Sequence, residues 1–443
     1  MEKIKIICIV ENSISHLNPI FNLLSEINLR GNKLEAYFLS HISFQTTIEA
    51  KDFHFIETRS FPFGIENHEV LYKNYADKLL HCLNENNFEI RKNDLLNHVE
   101  NIRPNFIFVD SMLWGDQIIL EDIRSEKLNF KIKNIQTIFD THFSTKNLPI
   151  HSRFVPVNFE FTGRVLNFLI WLRYWIFKIV RRNLYHCKFL GYTEYRKIQT
   201  HLKRINKLRK SQLKINSWNS FCPSLSNLET LILLPKSLEF TKENGNMNKH
   251  LGYFENHIVD QVDLDMILKN SKQFDKLILI SQGTLQGTLN ADLNAFYLKF
   301  LELVKFYPNY YFIASFDNDF LEANDLSSYD NLYASAFLSQ KSLLTKVDLF
   351  ISHGGANSIL ESIMAECPIL ITLNNYIFDQ NGNAARVKFH GCGEFVDFYE
   401  PLYIWMNTIN HILQNSCSYK TTLQSMKKKI LNEEHDLENL IFA

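Results

Sequence analysis

The chain has 443 residues, 46% of them hydrophobic and 21% charged, with 47 Lys and Arg against 48 Asp and Glu. That length exceeds one ordinary core and suits two domains, and the composition excludes a largely disordered chain. The balanced charge names no polyanionic partner. Seven scattered cysteines without a CxxC pair argue against a disulfide framework or zinc site and for a reducing compartment.

The opening residues 4–10 are apolar behind Lys3 and Lys5, but the run stops at Glu11, too short for a signal peptide, so it reads as a first buried strand. Further apolar runs at 34–39, 106–109, 134–138 and 230–234 read as strands, separated by amphipathic stretches such as 18–30. A second set follows at 277–281, 311–314, 349–352 and 369–372, with helical stretches at 293–306 and 357–365. Continuous apolar strands alternating with helices predict parallel sheets covered on both faces. The polar stretch 239–249 divides the two sets, giving domains at 1–250 and 251–417. Residues 418–443 form a charged helix candidate that could pack back across both.

Only 14 residues are glycine, and eight of them fall from Gly252 onward. The sharpest use is His353-Gly354-Gly355-Ala356-Asn357-Ser358, between the strand 349–352 and a helix. A helix N-terminus there offers unpaired backbone N–H groups to an anion, and the glycines allow close approach. Asn357 and Ser358 can cap the helix or donate to phosphate, and His353 adds a donor. Glu361, one turn on, suits ribose hydroxyls. Ser281-Gln282-Gly283-Thr284 offers a second phosphate contact, and Asp379-Gln380 could grip sugar hydroxyls. The bland alternative is a tight strand–helix connection without ligand.

The run from Ala336 to Val387 resembles the donor-binding signature of the family 1 glycosyltransferases, the UDP-glycosyltransferase superfamily. Phe337-Leu338-Ser339-Gln340, the His353–Ser358 motif, Glu361, Pro368, Asp379-Gln380 and Asn383 carry the resemblance. It implies a GT-B fold: two Rossmann-like doubly wound domains with the donor in the cleft between them. It places Phe337 on the nucleotide base with Gln340 beside it. It puts His353, Asn357 and Ser358 on the diphosphate, Glu361 on the ribose, and Asp379 with Gln380 on the hexose. Phe337 replaces the family's frequent Trp, and Glu366 replaces its usual Gly, which reads as a surface difference.

A loop histidine by itself is more often a packing or surface residue. Ser15-His16-Leu17-Asn18-Pro19, followed by a helix and Gly31, is similar to the family's acceptor-domain opening, where the turn carries the base. Ser15 stands where the family has Gly. An unperturbed imidazole accepts protons near neutral pH, and a carboxylate on its other nitrogen fixes its tautomer. Asp110, ending the strand 106–109, is the candidate orienting residue, with a helix N-cap as its alternative role. Together these imply an inverting displacement without cofactor or metal. The donor would be a UDP-sugar or another nucleotide diphosphate sugar. Asp317-Asn318-Asp319 imitates a metal-binding Asp-x-Asp but reads as a polar turn.

Residues 164–214 contain 14 Lys and Arg and one acid, Glu194. On a helix, Phe168, Trp171 and Trp175 share a face with Arg164, Lys178 and Arg182, while Val165, Leu169, Leu172, Ile176 and Ile179 share a neighbouring one. One reading packs the aliphatic face on the domain and leaves the aromatic stripe for a greasy acceptor or a membrane surface. The equal alternative makes Trp171 and Trp175 core. The stretch also resembles family members acting on lipophilic alcohols, in the bacterial branch of zeaxanthin and macrolide glycosyltransferases. The expectation is a cytoplasmic enzyme, in peripheral membrane contact through 164–214, glycosylating a hydrophobic hydroxyl-bearing acceptor. No nucleic-acid-binding module accompanies the basic segment. The alternatives are a non-catalytic nucleotide-sugar-binding protein and a related epimerase.

Overall fold

The computed structural model describes residues 3–31, 33–58, 60, 85–124, 128–185, 215–216, 220, 224–225, 228–241, 248–255, 264–283, 293–373, 379–433 and 437–442. The first sheet contains β1 (Ile4–Ile9), β2 (Leu34–Ser40), β3 (His54–Glu57), β4 (Phe106–Asp110), β5 (Lys131–Gln136), β6 (Thr230–Ile232) and β7 (Asn248–His250), in the order β3-β2-β1-β4-β5-β6-β7. The second contains β8 (Lys276–Ser281), β9 (Tyr310–Ser315), β10 (Leu332–Ser335), β11 (Leu349–Ser352), β12 (Ile369–Leu373) and β13 (Gly393–Asp397), in the order β10-β9-β8-β11-β12-β13. All neighbouring pairs are parallel; Ile6 lies opposite Ala36 on one side and Phe106 on the other. In each sheet the order reverses at the first strand, opening a crevice at the carboxyl ends.

The strands form because both faces are covered. Alternate residues of β1 enter different cores, Ile7 and Ile9 one and Ile6 and Cys8 the other, so the strand needs apolar residues throughout. The helices that matter here are α1 (Ile14–Leu29), α2 (Glu85–Ile102), α3 (Trp114–Arg124), α4 (Phe161–Tyr185), α5 (Leu293–Lys305), α6 (Gln340–Leu344), α7 (Ala356–Met364), α8 (Gln380–Phe389), α9 (Leu402–Gln414), α10 (Ser416–Leu431) and α11 (Leu437–Phe442). One core joins the two halves, with Ile138, Phe139, Ile150 and Leu238 packed among Ile359, Leu373, Ala384 and Leu423. The chain then returns: α10 packs on that shared core, while Leu437 and Ile441 of α11 enter the first domain. Between them Glu433 accepts the backbone N–H groups of Lys236 (3.0 Å) and Ser237 (2.6 Å).

Helix α4 reverses one reading of its sequence. Trp171 is fully buried, its Nε1–H bonded to the Asn147 carbonyl at 2.9 Å, and Asn167 is buried with its amide on Thr145. Trp175 is half-buried against Phe143, and Phe168 is 41% exposed. The aliphatic residues Val165, Leu169, Leu172 and Ile176 are exposed. The aromatic side, not the aliphatic one, is anchored, because the loop at 143–147 supplies an aromatic ring and free carbonyls that indole and amide N–H groups can use. Among the described residues no helix is long and apolar enough to cross a membrane.

Candidate active site

The predicted loop before α1 is already helix: Ser13 is the N-cap, so His16 sits in the first turn. Ser15 needs no glycine there, since its φ is not positive. The His16 Nδ1 lies 2.6 Å from Asp110 Oδ2 and 3.1 Å from Thr137 Oγ1. Asp110 is fully buried at the carboxyl end of β4; its Oδ1 accepts the Met112 N–H at 2.9 Å and its Oδ2 the Glu11 N–H at 3.3 Å. It therefore both caps the turn after β4 and orients the imidazole. Because a carboxylate only accepts, Nδ1 carries the proton, and Nε2 is left as the basic nitrogen. Burial pulls the His16 pKa down, but the charge and hydrogen bond of Asp110, helped by Glu11 and Asp379, outweigh it and raise it above its ordinary 6.5.

Across the cleft, His353, Gly354 and Gly355 connect β11 to α7. A Cβ on Gly283 would stand 2.4 Å from His353 Cε1, and one on Gly355 would stand 2.7 Å from Nε2, so two bare backbones cradle the ring. Gly354 has φ +84°, and a Cβ there would strike Ile371 at 2.6 Å. Burial pushes the His353 pKa down to about 4, which keeps it neutral and able to donate from one nitrogen. Helix α7 has neither a side-chain cap nor an acidic residue in its first turn, so its positive end is uncompensated.

Around this turn, Gln282 Oε1, His353 Nδ1, Gln380 Oε1 and Asn383 Oδ1 are buried without a hydrogen-bond partner. Orphaned buried polar atoms are costly, and four at the carboxyl edge of one sheet suit a polar ligand. Asn383 donates to the Gly354 carbonyl and to Asp379 Oδ2, both at 2.9 Å. Burial lifts the Asp379 pKa above the usual carboxylate range despite Asn383 and His16. Gln340 Nε2 donates to Glu361 Oε2 at 2.6 Å and to Ser358 Oγ at 3.4 Å, gathering three of the predicted donor residues. Phe337 is 67% exposed, with its ring open to stacking. Ser281 is buried and bonded to the Gly283 N–H at 3.3 Å, while Thr284 lies outside the described residues.

The Glycosyltransferase family 28 C-terminal domain matches residues 287–441. Among curated proteins, the chain is 34% identical over 126 residues to ugt-47 of Caenorhabditis elegans, a protein assigned to the UDP-glucuronosyltransferases; the match covers 28% of this chain and 23% of that one. It is 30% identical over 79 residues to the zeaxanthin glucosyltransferase of Pantoea ananas, covering 18% of each. The matched stretch thus spans about a quarter or less of these relatives. Among solved structures, the glycotransferase of kitacinnamycin superposes with a TM-score of 0.68 at 14% identity, covering 100% of this chain and 98% of that one. The calicheamicin glycosyltransferase CalG4 superposes at 0.60 and 12% identity, covering 97% and 95%. The fold is GT-B. In its second half the chain is similar to glycosyltransferases of the UDP-glycosyltransferase kind.

In this chain the two half-sites touch. Asn357 Nδ2, in the first turn of α7, donates to the Ser15 carbonyl at 3.2 Å, one residue before His16. Pro19, four residues after Ser15 and inside α1, has no N–H to offer that carbonyl. Deeper in the cleft, the Arg386 guanidinium of α8 lies between the rings of Phe139 and Phe240, 4.6 and 4.7 Å from their centroids, and donates to Glu239 at 2.9 and 2.6 Å. Gly382 N–H bonds the Ile150 carbonyl at 3.0 Å, where a Cβ would come within 2.3 Å of that oxygen.

Thr137 and Arg386 had no signal in the sequence: the first follows an unremarkable strand, and the second sits among residues read for other roles. The Asp317 run is a helix start rather than the expected polar turn: Asp317 caps the short helix Asn318–Ala323 by accepting Phe320 N–H at 2.7 Å, and Asp319 lies in its first turn. Among the described residues no group of three or more His, Cys, Asp or Glu could hold a metal ion.

Proposed function

We propose that the protein transfers a hexose from a nucleotide diphosphate sugar, a UDP-sugar in the first instance, to a hydroxyl of a hydrophobic small molecule or lipid, inverting the anomeric centre. The observation that carries this is the Asn357–Ser15 contact, which sets a basic imidazole and an uncompensated helix end on opposite sides of one cleft. In the proposed step His16 Nε2 takes the acceptor proton as the hydroxyl oxygen forms its bond to the anomeric carbon. The bond from that carbon to the diphosphate oxygen breaks, and the diphosphate leaves toward the N–H groups of α7. Asp110 steadies the imidazolium that results. The helix end and neutral His353 supply the donors, so the step as written calls on no metal.

Phe337 would stack on the base, Gln340 and Glu361 would release each other for the base and ribose, and Asp379 with Gln380 would hold the hexose. Peripheral contact with a membrane through residues 164–214, at the cytoplasmic face, belongs to the same proposal. The intact His16–Asp110 pair favours transfer over non-catalytic binding of the sugar nucleotide. The test is a hydrolysis and transfer screen across UDP, TDP and GDP sugars, followed by mass detection of glycosylated products from a lipid extract. A hexose-sized mass gain on an apolar alcohol supports the proposal; binding without turnover of any sugar nucleotide contradicts it.

A further inference from the structure

An imidazole ring has no strong preference of its own about χ2, so outside contacts must fix its plane. For His16 the bond from Nδ1 to Asp110 Oδ2 limits that rotation without stopping it. A second oxygen stands beside the same nitrogen, Thr137 Oγ1 at 3.1 Å. Thr137 is 7% exposed and directly follows β5. Its hydroxyl has no other hydrogen-bond partner among the described residues. The turn that presents it is itself held, since the buried Gln136 amide donates to the Ile138 carbonyl at 3.1 Å and to the Phe139 carbonyl at 2.7 Å. The same loop then reaches the second domain. The Phe139 ring lies on Arg386, and the Asp140 N–H donates at 2.7 Å to Glu239, the carboxylate that also holds Arg386. The Ile150 carbonyl accepts the Gly382 N–H. One loop thus touches His16 at its start and helix α8 further on.

We infer that Thr137 is a positioning residue for His16: its hydroxyl oxygen takes the weaker arm of a shared Nδ1–H bond and fixes the imidazole plane so that Nε2 faces the cleft. Asp110, charged and at 2.6 Å, takes the stronger arm. A hydroxyl suits the second place because it accepts without adding another negative charge beside a buried carboxylate. With the ring turned over, a carbon would face both oxygens and both bonds would be lost. Because the loop is also fixed on α8, the ring is registered against the end of that helix where Asp379 and Gln380 stand. That His16 acts as a base rests on the proposed sugar transfer; the placement of its ring does not.

The experiment compares Thr137→Val, which removes the hydroxyl and keeps the shape, with Thr137→Ser, which keeps the hydroxyl; Thr137→Ala replaces the first if the valine variant does not fold. The full chain is labelled at the ring nitrogens of histidine, and the His16 NMR signals are assigned by their loss in His16→Gln. An imidazolium donates more strongly from Nδ1 than a neutral ring, so an acceptor there favours the charged form. The carboxylates that face His16, Asp110, Glu11 and Asp379, stay in place. His16 should therefore titrate at lower pH in Thr137→Val than in the unaltered chain, and Thr137→Ser should restore it. In a transfer assay kcat should fall roughly five- to ten-fold in Thr137→Val, with KM for the sugar nucleotide unchanged and the acid limb moved the same way, and serine should recover most of the loss. A His16 titration unmoved by Thr137→Val, or a serine variant that behaves like the valine one, overturns the assignment. The titration needs neither donor nor acceptor, so a moved titration without turnover of any sugar nucleotide upholds the placement of the ring and contradicts only the sugar transfer.

Discussion

Asp110 is the neighbour that most shapes His16, with Glu11, Asp379 and Thr137 beside it. Asp110 fixes the proton on Nδ1 and raises the pKa above 6.5, so the protonated, inactive form gains population as pH falls through that raised value. The acid limb of kcat/KM should therefore lie above pH 6.5. Asp110→Asn should move that limb to lower pH and cut the plateau by roughly 10²-fold or more, because both the charge and the tautomer preference are lost. An unmoved limb in a pH–rate profile would detach Asp110 from the base. At Glu366 the outcome differs from the reading of a mere surface change. Its φ of 58° is the left-handed conformation that favours glycine, and its carboxylate holds Lys427 at 2.8 Å and Gln424 at 3.0 Å on α10. Glu366→Ala keeps the strain and loses the pair, whereas Glu366→Gly loses the pair but relieves the strain. Chemical denaturation should rank Gly above Ala by about 1 kcal/mol. The motif residues were legible because chemistry restricts their type. Thr137 was not, because a threonine just after a strand is common and its contact is made only by the fold.

The same contrast runs through the elements. The inner strands were readable as apolar runs, since both faces of each sheet are covered. The four strands without a sequence signal, β3, β7, β10 and β13, are the four sheet edges, where packing asks for less and His54, Lys249, Tyr333 and Glu394 are tolerated. In α4, periodicity located a helix with two apolar faces, but which face turned inward depended on carbonyls of an irregular loop 22 and 24 residues earlier. In α1, Pro19 costs the helix a hydrogen bond and leaves the Ser15 carbonyl to Asn357. Pro19→Ala returns an N–H to compete for that carbonyl. The expected outcome is a higher melting temperature with turnover lowered several-fold, measured by thermal unfolding and steady-state kinetics. Unchanged turnover would mean that the contact does not position the base.

At the scale of the whole molecule, the two domains are held by packing that no local pattern announces. Arg386 and Glu239 are both buried, 147 residues apart, with aromatic rings on either side of the cation. Removing one partner of such a pair strands the other, so Arg386→Met should destabilise by about 3–5 kcal/mol in denaturant titration, and Glu239→Gln combined with it should recover part of that loss. The GT-B architecture followed from alternating strands and helices together with the family motif; the closed contact between the halves did not, because it is made by side chains drawn from both. That contact is where the functional account is most exposed. The most direct measurement compares His16→Ala with the unaltered protein in UDP titration calorimetry and in a sugar-transfer assay. The account predicts an unchanged UDP dissociation constant, because that site belongs to the second domain, with transfer reduced by roughly 10³-fold or more. Transfer that survives the substitution, or UDP binding that vanishes with it, would contradict the account.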